Sequence, residues 1–294
     1  MLFGKITLVG VGLLGGSLAL AIRARNTAQF VRGYVRRGAA VTDCESAGLR
    51  GFATCDLLEA VHDADLVILC TPLAQMHELT ERFIPALKAG AIVTDVGSVK
   101  ASVVAELESI VASAGAQFIG AHPMAGAERT GVSAARADLF RDAVCVLTPT
   151  SKSSPTAVEQ LQAFWTAIGS RVITTTPELH DELVARSSHL PHVLAAQLTT
   201  FVLDPVLPKH QLALCANGFR DTTRIASGSP EMWRDIALAN RENLSQALDV
   251  FIRELEQTRD AIQRGDAKLI EAFFHAAKHR RDAWCAQTAS PSPE

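Results

Sequence analysis

An α/β domain built on a mostly parallel sheet, followed by an all-helical domain, is the fold class expected of this chain. The expectation rests on three observations. A β-branched run near the N-terminus breaks into glycines and continues as a helix, short apolar runs alternate with amphipathic stretches as far as Pro177, and the texture beyond Pro177 is helical. Repeated strand, helix and strand give a parallel sheet wrapped by helices. The 294 residues exceed the roughly 100 to 200 of a usual single domain. Two domains are expected, 1–177 and 178–287, with 288–294 a disordered tail.

The first element is Lys5-Ile6-Thr7-Leu8-Val9-Gly10-Val11-Gly12-Leu13-Leu14-Gly15-Gly16-Ser17, running into Leu18-Ala19-Leu20-Ala21-Ile22. Strand, Gly-x-Gly-x-x-Gly and helix, in that order, let backbone N–H groups at a helix N-terminus meet a pyrophosphate. Gly10 makes the tight turn, Gly12 lets the chain approach the phosphates, and Gly15 lets the helix pack close to the strand. Gly10, Gly12, Leu14 and Gly15 are therefore the candidate cofactor-binding residues of a Rossmann-like domain. The uncharged stretch 6–22 is only 17 residues long and is broken by four glycines, where a membrane span needs about 20 apolar residues. A soluble protein is expected.

The further strand candidates are 30–35, 66–70, 92–95, 117–120, 143–148 and 171–175, after 6–9 as the first. The helical runs of the second half are 178–202, 212–227, 231–264 and 268–287. Their apolar faces exceed what about 115 residues bury within one chain, which predicts a homodimer through the helical half. The hydrophobic share of 48% is ample for a core, and a net charge of -3 with pI near 6.3 offers no basic surface for nucleic acid or membrane. A small-molecule partner is expected. Cysteines at 44, 55, 70, 145, 215 and 285 form no Cys-x-x-Cys pair, and reduced thiols in a cytoplasm follow.

An acidic residue about 20 positions past the glycines normally accepts from the adenine ribose 2′-hydroxyl. Here that place reads Gly33-Tyr34-Val35-Arg36-Arg37-Gly38, with no carboxylate. The guanidinium groups of Arg36 and Arg37 match a 2′-phosphate instead, so NADP is favoured, with NAD as the alternative.

Ligands collect beyond the carboxyl ends of the strands, and three segments stand there. Thr71 follows the third strand candidate, Asp95-Val96-Gly97-Ser98-Val99-Lys100 offers a hydroxyl, an acid and a cation, and His122, followed by Pro123, puts an imidazole at a strand tip. An imidazole takes or polarises a hydroxyl proton near neutral pH. The helical half adds His180, His189, His192, and Arg220 with Arg224 four residues apart on one helix face. An arginine facing a cleft clamps a carboxylate. His189 and His192 have no third ligand of suitable spacing, so no metal is expected.

The glycine turn, Asp95 to Lys100, His122-Pro123-Met124-Ala125-Gly126-Ala127-Glu128, Ser188-His189-Leu190-Pro191-His192, and Phe219-Arg220-Asp221-Thr222-Thr223-Arg224-Ile225-Ala226 with Met232-Trp233-Arg234-Asp235-Ile236 resemble the prephenate and arogenate dehydrogenases of tyrosine biosynthesis. The resemblance covers residues 5–243. It implies a Rossmann-like domain followed by an all-helical dimerisation domain. It also implies that His122 is the catalytic histidine on the substrate ring hydroxyl, that Ser98 supports it beside the nicotinamide, and that Arg224 binds a substrate carboxylate. His192 and His180 line the pocket, and Glu128 joins a polar network at its mouth. The implied reaction is oxidative decarboxylation of a cyclohexadienol with hydride transfer to NAD(P)+. A different dehydrogenase of β-hydroxyacid dehydrogenase or imine reductase type, or a non-catalytic NADP-sensing dimer, shares the same layout. The first of these usually carries a catalytic Lys or Asp where this chain has histidines.

Overall fold

The computed structural model describes residues 1–127, 129–206 and 210–289. The first unit opens with β1 (Phe3–Val9), α1 (Leu13–Arg25), β2 (Ala28–Tyr34), α2 (Gly38–Ser46), β3 (Ala53–Thr54) and α3 (Leu57–Val61). It continues through β4 (Leu66–Leu69), α4 (Leu73–Phe83), β5 (Ile92–Asp95), α5 (Ala101–Ser113), β6 (Gln117–Pro123), β7 (Val144–Thr148), α6 (Pro155–Ala167) and β8 (Arg171–Thr174). Among the described residues these strands form one sheet in the order β3-β2-β1-β4-β5-β6-β7-β8. All neighbours are parallel except β6 and β7. The α/β reading of the sequence is what the chain adopts.

The central strands are buried on both faces, so their alternation separates two apolar layers rather than core from solvent. Ile6 and Leu8 of β1 and Leu66 and Ile68 of β4 pack with Leu18 and Ile22 of α1 and with Leu161, Phe164 and Trp165 of α6. Val9, Val67, Leu69, Val93 and Phe118 face the opposite way, onto Met76, Leu79 and Phe83 of α4 and Val103, Leu107 and Val111 of α5. His122 lies two pleats beyond Phe118 on this second face.

Two strand expectations change in the structure. The two-residue β3 has no periodicity to show, and it forms because Gly33 and Tyr34 of β2 pair with it. Strand β6 reaches Pro123 because antiparallel β7 carries the ladder on to Pro123 opposite Cys145. His122 is therefore a strand residue, not one just past a strand tip.

From Pro177 the described elements are helical: α7 (Pro177–Val184), a π turn (Ala185–His189), α8 (Leu190–Val202), α9 (His210–Ala213), α10 (Asn217–Thr223), a 3-10 turn (Arg224–Ser227), α11 (Pro230–Ala239), α12 (Arg241–Gln263) and α13 (Ala267–Ala289). The four long runs are thus broken more often than their periodicity predicts. Pro191 lacks an N–H and its ring clashes with the carbonyl four residues back, which accounts for the widened turn before it. Arg220 and Arg224 fall on α10 and on the following 3-10 turn, not on one continuous helix face. By packing, the chain forms two compact units, Met1–Leu244 and the remainder from Ser245. That division lies beyond the change of texture at Pro177, because α7 packs on α5 and β7. Among the described residues no helix is long and apolar enough to cross a membrane, and residues 290–294 of the expected tail lie outside them.

The tightest approach in the fold is at the glycine turn. A Cβ on Gly15 would sit 2.1 Å from the Gly10 carbonyl oxygen, far inside contact distance. Gly15→Ala is expected to destabilise the chain by about 3 kcal/mol, the upper range of overpacking, read as a lowered midpoint in thermal unfolding by circular dichroism.

Candidate active site

The strand order reverses direction at β1, with β2 on one side and β4 on the other. Such a switch point opens a crevice at the carboxyl ends of the two strands. Gly10 turns the chain there with φ +98°, and a Cβ on it would meet Thr71 Cγ2 at 2.8 Å and the Cys70 carbonyl at 2.9 Å. Gly12, the N-cap of α1, has open space where a Cβ would stand. The first helical bond runs from Gly16 N–H to the Gly12 carbonyl at 2.9 Å. The N–H groups of Leu13, Leu14 and Gly15 therefore point out of the helix end with its positive dipole. Among the described residues the Thr71 hydroxyl beside this turn is buried without a hydrogen-bond partner. Arg36 and Arg37 stand exposed just past the end of β2. An open cradle, outward N–H groups and an orphaned hydroxyl fit a dinucleotide.

Two pleats beyond Phe118, His122 is 7% exposed and its Nδ1 lies 2.9 Å from His180 Nε2. The rings cross at 70° with centroids 5.1 Å apart. His180 Nδ1 in turn lies 2.7 Å from Asp181 Oδ1. A carboxylate only accepts, so hydrogen-bond matching assigns the protons along this chain. His180 donates from Nδ1 to Asp181, His122 donates from Nδ1 to His180 Nε2, and His122 Nε2 is left with a lone pair. Burial first, then His180, Lys100 and His189, hold the His122 pKa well below 6.5. The imidazole is neutral at neutral pH.

Asp181 is itself held by the N-terminus of α5. Lys100 N–H donates to its Oδ1 at 2.7 Å and Ala101 N–H to its Oδ2 at 2.8 Å. The Asn240 amide donates to the Asp181 backbone carbonyl at 2.8 Å and lies 3.2 Å from His189 Nδ1. That amide can only donate, so His189 accepts at Nδ1 and carries its proton on Nε2. Among the described residues His189 Nε2 is buried with no hydrogen bond of full geometry, and the Ser98 backbone beside it favours its proton. Burial pushes His189 down to about 4.

His192 stacks on Trp233 with centroids 3.7 Å apart and donates from Nδ1 to the Ser188 carbonyl at 2.9 Å. Burial is the main cause of its lowered pKa, and the Arg224 guanidinium adds to it. The structure thus gathers His122, His180, His189 and Ser98 into one cluster, with His192 and Arg224 as near neighbours of each other. Glu128 lies outside the described residues. Sequence reasoning missed Asp181, Asn240 and the hydrogen-bonding role of His189. Asp181 carried a signal, a carboxylate directly after a candidate histidine; Asn240 carried none. Among the described residues no cluster of ligands could hold a metal ion.

A sheet with this switch point and this glycine turn defines a dinucleotide-binding protein of the Rossmann type. Residues 18–174 match the prephenate dehydrogenase nucleotide-binding domain, and residues 176–276 match the prephenate dehydrogenase dimerization domain. The chain is 35% identical to the prephenate dehydrogenase of Bacillus subtilis over 94% of its own length and 75% of the relative's. It is likewise 35% identical to the cyclohexadienyl dehydrogenase of Zymomonas mobilis, covering 95% of each. Among solved structures, prephenate dehydrogenase from A. aeolicus in complex with hydroxyphenyl propionate and NAD+ superposes with TM-score 0.87 at 31% identity, covering 95% of this chain and 98% of that one. Synechocystis arogenate dehydrogenase gives TM-score 0.80 at 31% identity, covering 95% and 99%. The chain belongs to the prephenate dehydrogenase family.

The buried imidazoles set a pH dependence of stability. A folded pKa below the unfolded value means that, as pH falls, the unfolded chain takes up protons first, so stability declines from about pH 6.5 downward. For His189 that decline runs on to about 4. The thermal midpoint is expected to fall across this window, and His189→Gln to remove part of the slope; an unchanged slope would contradict the assignment.

Proposed function

We propose that this chain oxidises and decarboxylates prephenate or arogenate, giving 4-hydroxyphenylpyruvate or tyrosine, with NADP as the preferred cofactor. The observation that carries this reading is the buried His122–His180–Asp181 chain, which leaves a neutral His122 lone pair beside a dinucleotide crevice. The A. aeolicus relative holds hydroxyphenyl propionate together with NAD+, which supports a phenolic product with a carboxylate side chain.

In this reading the substrate is a cyclohexadienol with a hydroxyl at one ring carbon and a carboxylate at the opposite one. A bound nicotinamide would supply the acceptor for the hydride of the hydroxyl-bearing carbon. His122 Nε2 takes the hydroxyl proton, and the developing imidazolium is met by His180 and, behind it, by the Asp181 carboxylate. As the ring carboxylate leaves as carbon dioxide, its bonding electron pair enters the ring and displaces the new carbonyl's π pair onto oxygen, the ring becomes aromatic, and the phenolate oxygen takes the proton back from His122. The step is then effectively irreversible, and the protein's work is orientation and polarisation of one hydroxyl. Gly10, Gly12, Leu14, Gly15 and Thr71 hold the dinucleotide, and Arg36 and Arg37 clamp a 2′-phosphate. Ser98 supports the nicotinamide end. Arg224 binds a substrate carboxylate, and His192 lines the pocket on the face opposite its Trp233 stack.

The reading includes a cytoplasmic homodimer through the helical region. It is supported by the match to a dimerization domain and by exposed Ile252, Leu255, Ile262, Phe273 and Phe274.

Absorbance assays crossing prephenate and arogenate with NAD and NADP are expected to show cofactor reduction in at least one pairing, and none in any pairing would sink the proposal. His122→Asn is expected to lower kcat by about 10²- to 10⁴-fold, the usual share of a positioned base, with cofactor affinity kept. Replacing Arg36 and Arg37 by Gln should raise KM for NADP and spare NAD; equal loss of both would discard the phosphate clamp.

A further inference from the structure

We infer that the buried Asp95–Lys100 ion pair is the positioning device of His122, holding its backbone through Ala121, while backbone N–H groups of the same loop hold its ring through Asp181. The inference rests on His122 being the base and names the residues that place it.

The ladder between β5 and β6 pairs Ile92 with Gln117, Val93 with Phe118 and Thr94 with Ile119, and then stops. Side chains continue it. Asp95 Oδ1 accepts from Ala121 N–H at 3.1 Å, Lys100 Nζ donates to the Ala121 carbonyl at 2.9 Å, and Lys100 pairs directly with Asp95 Oδ2. Successive strand residues send their backbone groups to opposite neighbours, so Ala121 is tied to the β5 side while His122 is paired with Val146 of β7. The strand is clamped from both edges at the imidazole. Asp95 Oδ2 also accepts from Gly97 N–H at 2.8 Å, which folds the intervening loop back onto the pair.

The same loop reaches the ring from the other side. Lys100 N–H and Ala101 N–H hold the Asp181 carboxylate, Asp181 orients His180, and His180 orients His122. Residues 95–101 therefore hold His122 at its backbone and at its Nδ1, and Ser98 lies between the two anchors. Both charged side chains of the pair are 0% exposed. A buried ion pair is often no more stabilising than apolar residues of similar volume, so stability alone does not account for it.

The titratable and charged groups acting on His122 come from several elements. His180 comes from α7, His189 from the π turn and Lys100 from the loop before α5. Cys145 of β7 opposes the next residue, Pro123, and Asp95 neutralises Lys100. The Lys100 cation disfavours protonation of His122, so its removal shifts the base toward the ordinary histidine range.

The test uses the full chain in three variants: Lys100→Met, the double variant Asp95→Asn with Lys100→Met, and His122→Asn as reference. Thermal unfolding and NADPH fluorescence titration report folding and cofactor binding, and kcat/KM against pH reports the base. Lys100→Met is expected to bind NADPH as the wild type does, to lose about 100-fold in kcat, the effect of an ångström-scale misplacement, and to move the acid limb of kcat/KM upward. The double variant leaves no unpaired buried charge and is expected to fold and to lose kcat similarly. Either variant folding with wild-type kcat and an unmoved limb would overturn the inference, as would failure of both to fold, because the pair would then serve stability. If His122→Asn keeps full turnover, the reading of the base fails; if it loses turnover while Lys100→Met does not, the positioning inference alone fails.

Discussion

One carboxylate organises the site. Asp181 accepts from two backbone N–H groups at the start of α5 and from His180 Nδ1. These donors keep it an acceptor, and from that the proton order along His180 and His122 follows. Were Asp181 to turn away, His180 could present either nitrogen and His122 would lose its defined lone pair. The Asn240 amide on the Asp181 carbonyl adds a second hold, from the end of α11, and ties the same residue to His189.

The fold uses helix N-termini twice for this purpose. The start of α1, stripped of side chains by Gly12 and Gly15, is left open for a phosphate group. The start of α5 is filled from within by Asp181. Both ends present unsatisfied N–H groups with the positive end of a helix dipole. One serves a ligand, and the other fixes the residues that act on it.

Burial does the remaining electrostatic work. His122 and His189 are enclosed by apolar layers and by each other, which keeps them uncharged in the folded chain. The neutral state that a base requires is thus a consequence of packing β6 between β5 and β7 and closing it with α7. The cost appears in acid, where the unfolded chain gains protons that the folded chain refuses.

The parallel sheet, the glycine turn, the candidacy of Ser98, His122 and Arg224, and the family resemblance were all legible in the chain before folding, because they depend on short-range periodicity and on local motifs. The same reading named His180 and His192 only as pocket residues and, having set aside His189 and His192 as metal ligands for want of a third, gave His189 no role. That His122 is a strand residue emerges only in three dimensions, since β7 extends β6 from a segment distant in sequence. Folding also joins Asp181, 81 residues away, to the Lys100 N–H, and brings Asn240 under His189. The helix breaks at Pro191 and Asn240 were illegible for a related reason. An apolar stripe of period 3.6 continues through a π turn or a one-residue break, whereas the hydrogen-bonding groups that the break releases find partners that no local pattern records.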